Sequence, residues 1–458
     1  MKKRYWIGLG LLFMIGLLVF AHEMKQPSTP AQAEQQTLVP STSISSENKI
    51  WVITDLHYLS QSLFENGESF AHIKQTSAGK EVEHAPERME ALVWQVEQEK
   101  PDILLVSGDL TLNGEKQSAE ELAGYFEQIE ALGTQVYVIP GNHDISDGWA
   151  RKFSGDKQEK TAQILPSDFQ TIFADMGYTE AFSTDSESLS YAVQPYQNLI
   201  LLMLDTNLYS EKEGVGAPTT NGELREETID WMEPILEKAQ AEGIAVLPVM
   251  HHNVLSFNLH MQDGFLLDNA AEVQELFAEK GLTMTLTGHT HIQNVTSKQV
   301  AGTTLYDATT AAFSIQQPAI GELIFTADAL QYEKKTLKME EWAEETQQTD
   351  EKLLHYDDYA ERLFVQDGEN MGIMRMLDEQ WYDEAYADEV GQLVGELNRD
   401  FFSGTSSEYS SKEREAFKQT TAYQEIKQRS RGSLLRYVEG IIQQDGGSNL
   451  SFSIPWKQ

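Results

Sequence analysis

The chain has 458 residues, 40% of them hydrophobic and 10% aromatic. That is longer than one hydrophobic core usually organises and too apolar for general disorder, so two folded units with appendages are expected. Its 72 acidic against 34 basic residues leave a formal net charge of -38, which repels a polyphosphate backbone and excludes a nucleic-acid polymer as the expected partner; without cysteine, disulfides, thiolate metal sites and a lipid on an N-terminal Cys are excluded too, so any metal is held by oxygen and imidazole.

Met1-Lys2-Lys3-Arg4 precedes an apolar run from Tyr5 to Ala21, the pattern of an export signal. Residues 1–22 are expected to be a signal peptide or, because the run is nearly long enough to span a bilayer, a membrane anchor. The protein is then secreted or held at the extracytoplasmic face, and touches membrane only through this segment. Residues 23–48, rich in Gln, Ser, Thr and Pro, read as a flexible linker.

Across residues 49–337 short apolar runs alternate with amphipathic helical stretches, an α/β pattern of strands covered on both faces. The runs are Ile50 to Ile53, Ile103 to Val106, Val136 to Ile139, Leu199 to Leu204, Ile244 to Met250 and Leu282 to Leu286. Between them Met89, Leu92, Val93 and Val96, then Leu122, Phe126 and Ile129, fall at helical spacing, and Leu224 to Ala239 and Ala270 to Lys280 are amphipathic segments that each stop at a glycine. Thr304 to Tyr306, Glu322 to Phe325 and Gln331 to Leu337 read as strands that complete a second sheet. From Glu340 to Gln444 the chain is Glu-, Gln- and Tyr-rich without a strong strand signal, which predicts an acidic all-α C-terminal domain over residues 338–458.

The end of each apolar run carries the chemistry. Successive runs lead into Thr54-Asp55-Leu56-His57, Ser107-Gly108-Asp109, Gly141-Asn142-His143-Asp144, His251-His252 and Gly288-His289-Thr290-His291. Carboxyl ends of strands in an α/β sheet converge on one crevice, so residues far apart in sequence meet there. They offer carboxylate, imidazole and amide oxygen, the donors of a metal site. Any one fragment alone reads as an ordinary turn; five in order do not.

These motifs make residues 49–337 resemble the calcineurin-like metallophosphoesterases, with every expected ligand type in place, which disfavours a noncatalytic binding scaffold. The resemblance implies a four-layer α/β/β/α sandwich. It assigns Asp55, His57, Asp109 and His291 to one metal and Asp109, Asn142, His251 and His289 to another, with Asp109 bridging and His252 competing with His251 for its place. Two divalent ions about 3.5 to 4 Å apart need such a shared anion to screen their repulsion, and the metals, Mn, Fe, Zn or Co, yield a hydroxide that attacks phosphorus. His143 belongs beside the leaving oxygen, and Asp144 is placed to orient its imidazole.

The stretch from Gly108 to Glu115 further resembles bacterial class III cyclic-nucleotide phosphodiesterases, as does a catalytic domain followed by a helical one. A small phosphoester is therefore the expected substrate, a cyclic nucleotide in first place. An exported phosphomonoesterase, nucleotidase, or hydrolase of wall or lipid phosphates is the alternative. Asp205 reads as a buried hydrogen-bonding residue, while His22, His72, His84, His260 and His355 read as surface or loop histidines.

Overall fold

The computed structural model describes residues 40, 42–257, 264–326, 328–444 and 447–456. The expected signal or anchor, most of the linker, His22 and His260 lie outside the described residues. Among the described residues no helix is long and apolar enough to cross a membrane.

Two sheets dominate. The first runs in the order Ser451–Pro455, Ala329–Thr336, Ala319–Phe325, Lys49–Ile53, Ile103–Ser107 and Gln135–Ile139. The second runs Asn294–Val300, Thr303–Thr309, Met284–Thr287, Ala245–Met250, Leu199–Leu204, Tyr191–Tyr196 and Ser183–Thr184. Alternation along each strand builds the layers. Ile50 and Val52 join Leu201, Met203, Leu247 and Val249 in a core between the sheets. Trp51 and Ile53 point the other way, onto the helices Ala85–Glu99 and Lys116–Ala131, while Leu202 and Leu204 meet the helices Glu226–Glu242 and Ala270–Lys280 on the far side. The four-layer α/β/β/α sandwich expected from the sequence is the result.

Two of the three strands expected to complete the second sheet belong to the first. Ala319–Phe325 pairs antiparallel with Lys49–Ile53, and Ala329–Thr336 pairs with Ala319–Phe325; only Thr303–Thr309 joins the second sheet. The part of the linker that is described is docked, not loose. Ile44 is buried, its amide donates to Asn198 Oδ1 at 2.8 Å, and Asn48 Nδ2 donates to Asp102 Oδ1 at 3.1 Å.

The C-terminal region is helical from Met339 to Ile442, with long helices Tyr356–Asp378 and Glu384–Ser403 packed face to face. Val390, Val394, Leu397, Ile426, Val438 and Ile441 form its core. Trp342 and Trp381 are buried packing residues. The helical run ends before the chain does: Ser451–Pro455 pairs antiparallel with Ala329–Thr336 and puts Ile454 into the core between the sheets.

Candidate metal centre

Lys49–Ile53, Ile103–Ser107 and Gln135–Ile139 are parallel neighbours, and so are Ala245–Met250 and Met284–Thr287, so the carboxyl ends of each set open on the same side. Asp55, His57 and Asp109 turn out of those ends with φ of 52, 43 and 50°, and His289 and His291 do so with φ of 67 and 62°. A non-glycine residue in the left-handed region costs about 1 to 3 kcal/mol, and such residues gather at sites whose surroundings over-determine them. Two backbone bonds lock the first two turns together, Asp55 N to Gly108 O and His57 N to Asp109 O, both 3.0 Å. Gly141 has no room for a side chain, since a Cβ there would strike the Asp109 backbone nitrogen and carboxylate.

The turns bring all seven expected ligand residues together. Asp55, His57, Asp109 and His291 offer donor atoms within 4.8 Å of one another, and Asp109, His251 and His289 form a second such group that shares Asp109. In the first, His57 Nε2 lies 3.0 Å from His291 Nε2 and 3.5 Å from Asp109 Oδ2, while His291 Nε2 is 3.3 Å from Asp55 Oδ1. In the second, His251 Nε2 is 3.4 Å from Asp109 Oδ1 and 3.2 Å from Asn142 Oδ1, which brings Asn142 in.

The residues fit a cation, as their hydrogen bonds show. A carbonyl can only accept, so His251 Nδ1 donates to Ser107 O at 2.9 Å and His289 Nε2 donates to Gly264 O at 2.8 Å. Each ring is thereby fixed in one tautomer with its other nitrogen left as a donor to metal. Asp55 Oδ2 is occupied by Thr54 Oγ1 and the His289 amide, while the buried Oδ1 faces the ring of His291, another of the expected ligands. Burial pushes the Asp109 carboxyl up, but His251 and His143 outweigh it and hold Asp109 well below the usual carboxylate range. Burial by contrast lowers His251, and Asp109 more than reverses that, to about 9; a cation at the same oxygens competes with that proton.

His252 packs against the site, its ring centroid 4.4 Å from that of His289, but both its nitrogens are engaged elsewhere. Its Nδ1 pairs with Thr206 Oγ1 at 2.8 Å and its Nε2 donates to Thr220 O at 3.1 Å, so of the two adjacent histidines His251 faces Asp109. Asn253 behind them is anchored by Thr287, Asp307 and Thr309.

His143 sits edge-on to His57 with ring centroids 5.1 Å apart, is 20% exposed, and gives its amide to Asp109 Oδ1 at 2.9 Å. The expected partner of its ring is wrong. Asp144 makes no hydrogen bond to that imidazole; its buried oxygens accept from the amides of Leu110, Thr111 and Gly141, so it fastens two of the motif turns to each other. Asn113 Oδ1, 3.0 Å from His143 Nδ1, does the orienting, with Asp147 Oδ2 behind at 3.8 Å. The signal for Asn113 was its place four residues after Asp109 in a turn that returns to the same strand end.

Asp205 is buried and accepts from Asn207 and Tyr209, as anticipated. His84, expected at the surface, is only 4% exposed: Glu81 and Asp350 bracket its ring, and Tyr359 of the helical domain packs edge-on against it.

Facing sheets that hold a shared carboxylate, flanking imidazoles and an amide oxygen at their strand ends define a metallophosphoesterase. Residues 48–293 match the calcineurin-like phosphoesterase family, and the chain belongs to it. Residues 338–447 match the C-terminal domain of cyclic nucleotide phosphodiesterase. The chain is 23% identical over 234 residues to a probable cyclic nucleotide phosphodiesterase of Synechococcus, a match covering 51% of this chain and 74% of that relative. It is 41% identical over 54 residues to a probable glycerophosphodiester phosphodiesterase of Arcobacter nitrofigilis, covering 12% of this chain and only 19% of that protein. Among solved structures, a dimetal phosphatase from Danio rerio superposes with a TM-score of 0.45 at 14% identity, over 63% of this chain and 96% of the other.

Proposed function

We propose that the protein is a dinuclear-metal phosphodiesterase acting on a small phosphoester, with cyclic nucleotides as the substrate class. The observation that carries this reading is Asp109 shared between two buried donor groups, one completed by Asp55, His57 and His291, the other by His251, His289 and the adjoining Asn142. Carboxylate, imidazole and amide oxygen suit Mn, Fe, Zn or Co. Bound there, such ions would lower the pKa of a water and offset the charge of the phosphate.

The chain's own residues would position the rest. Asp144 holds the Asp109 and Asn142 turns in register through their backbones. Asn113 accepts the Nδ1 proton of His143, so the partly open ring presents Nε2, which has no hydrogen-bond partner among the described residues, to the leaving oxygen. A cyclic-nucleotide substrate is supported by the matched C-terminal domain and by the name of the Synechococcus relative. The charged and then apolar N-terminus supports an exported location, which cell fractionation checks.

The test is turnover by the Mn-loaded protein of bis- and mono-nitrophenyl phosphate, followed by a cyclic-nucleotide panel. Hydrolysis of the diester and of at least one cyclic nucleotide is expected. Turnover of monoesters alone would replace the diesterase with a phosphomonoesterase or nucleotidase.

A further inference from the structure

An anionic substrate must approach a site whose nearest protein charges include Asp55 and Asp109, on a chain of formal net charge -38. One lysine outside the metal motifs is placed to help. Lys80 lies between the helices Glu68–Thr76 and Ala85–Glu99, in a loop joined to the strand ends by the backbone. The amide of the next residue, Glu81, donates to Ser314 O at 2.7 Å; the neighbouring Phe313 amide donates to Thr54 O at 2.9 Å, and Ala312 N to His291 O at 3.3 Å. Lys80 is thus two backbone hydrogen bonds from Asp55, and the segment tying it there also touches His291.

The helical domain fixes this loop. Gly79, with φ of 75°, packs under Phe364, whose ring would lie 2.6 Å from a Cβ at that position. Phe364 also clusters with Ala312 and Ile315, so one side chain of the C-terminal domain pins both segments that carry Lys80 to the site.

The ammonium is partly buried, and among the described residues it has no hydrogen-bond acceptor and no carboxylate within 4.0 Å. Burial lowers its pKa, with Asp109, Asp55 and Asp367 pulling the other way. A partly desolvated cation without a carboxylate partner, on a loop tied by its backbone to a site for an anion, is a binding group awaiting its ligand.

We propose that Lys80 is a substrate-binding residue that takes a non-bridging phosphoryl oxygen of the phosphoester, in a loop held in place by Phe364. This rests on the phosphoesterase reading above. The other cationic clusters carry nothing comparable: Arg88, Lys74 and Lys352 are spent on Glu81 and Glu83.

The experiment uses the full chain loaded with Mn²⁺, as wild type, Lys80→Met, Lys80→Arg and Gly79→Ala. Metal content, calorimetric binding of inorganic phosphate, and KM and kcat on bis(p-nitrophenyl) phosphate are measured. Lys80→Met should keep its metal, bind phosphate about 10- to 100-fold more weakly and raise KM by a similar factor, as expected for one charge-assisted hydrogen bond. Lys80→Arg should recover most of that, and Gly79→Ala should shift KM in the same direction with metal unchanged. Phosphate affinity and KM within about twofold of wild type in Lys80→Met would overturn the proposal, as would a lowered unfolding temperature alone, which assigns Lys80 to a structural pairing with Asp367. A metal-loaded wild type that hydrolyses no phosphoester overturns the functional reading instead.

Discussion

At the strand ends, five residues hold left-handed backbone and several buried polar atoms lack partners among the described residues; the helical domain does neither on such a scale. Its helices begin with ordinary caps, as at Asp383, Ser410 and Thr420, and its interior is apolar. The first region stores local cost that only a ligand relieves, while the second spends its sequence on self-consistency. Strain and unmet polarity therefore mark where chemistry is done, and locally consistent packing marks what holds that place still.

The sharpest break would come at Asp109. Asp109→Ala should cut phosphoesterase activity by at least about 10³-fold and lower metal content, because it removes the one carboxylate common to both donor groups. Unchanged metal content and turnover would dissolve the distinction between the two regions.

The next concerns the seam between them. Arg88 donates to Glu81 Oε2 at 2.6 Å and approaches Tyr356 of the helical domain at 3.5 Å, both charges being almost fully buried. Arg88→Met should cost about 3 to 5 kcal/mol in urea unfolding by stranding Glu81. A cost under about 1 kcal/mol would mean the seam is not held by this pair.

Glu115 sharpens the picture of stored cost. Burial pushes its carboxyl up to about 7 from the ordinary 4.5, even though the Asn113 amide donates to it. With the folded pKa raised, its contribution to stability is fully present below about pH 4.5 and is lost as pH rises through about 7. Stability should therefore fall by up to about 3 kcal/mol across that window, and Glu115→Gln should flatten the fall. Identical pH profiles for the two proteins would count against it.

The smallest effect belongs to the helical domain. Ser410 Oγ accepts from the Glu413 amide while Glu413 Oε2 accepts from Ser410 N at 2.8 Å. Ser410→Ala should cost about 1 kcal/mol of stability and leave kcat and KM unchanged.

The convergence of the candidate ligands was readable because each follows an apolar run within a few residues, and parallel strands deliver such residues to one edge. His143 was readable for the same reason, but its partner was not. Adjacency in sequence suggested Asp144, whereas the turn after Ile139 aims that carboxylate back at the Leu110 and Thr111 amides. Strand identity was legible in period-two patterning, yet sheet membership was not, because Ala319–Phe325 carries no mark of which neighbour its backbone will choose. Lys80 and His84 escaped because their surroundings are made by Phe364 and Tyr359, nearly three hundred residues on. The alternation of Ser451-Phe452-Ser453-Ile454 did hold a strand signal, short and next to proline, in a stretch otherwise helical in character.

That last strand changes what the helical domain is. The chain enters the domain from Ala329–Thr336 and comes back to pair with the same strand, Leu330 opposite Ile454. Topologically the domain is a closed loop inserted into one sheet, not a tail hung from it. Its two roots are sewn to adjacent rungs, so the free swing of a singly tethered flap is denied to it, and what motion it has is the breathing of a stitched patch.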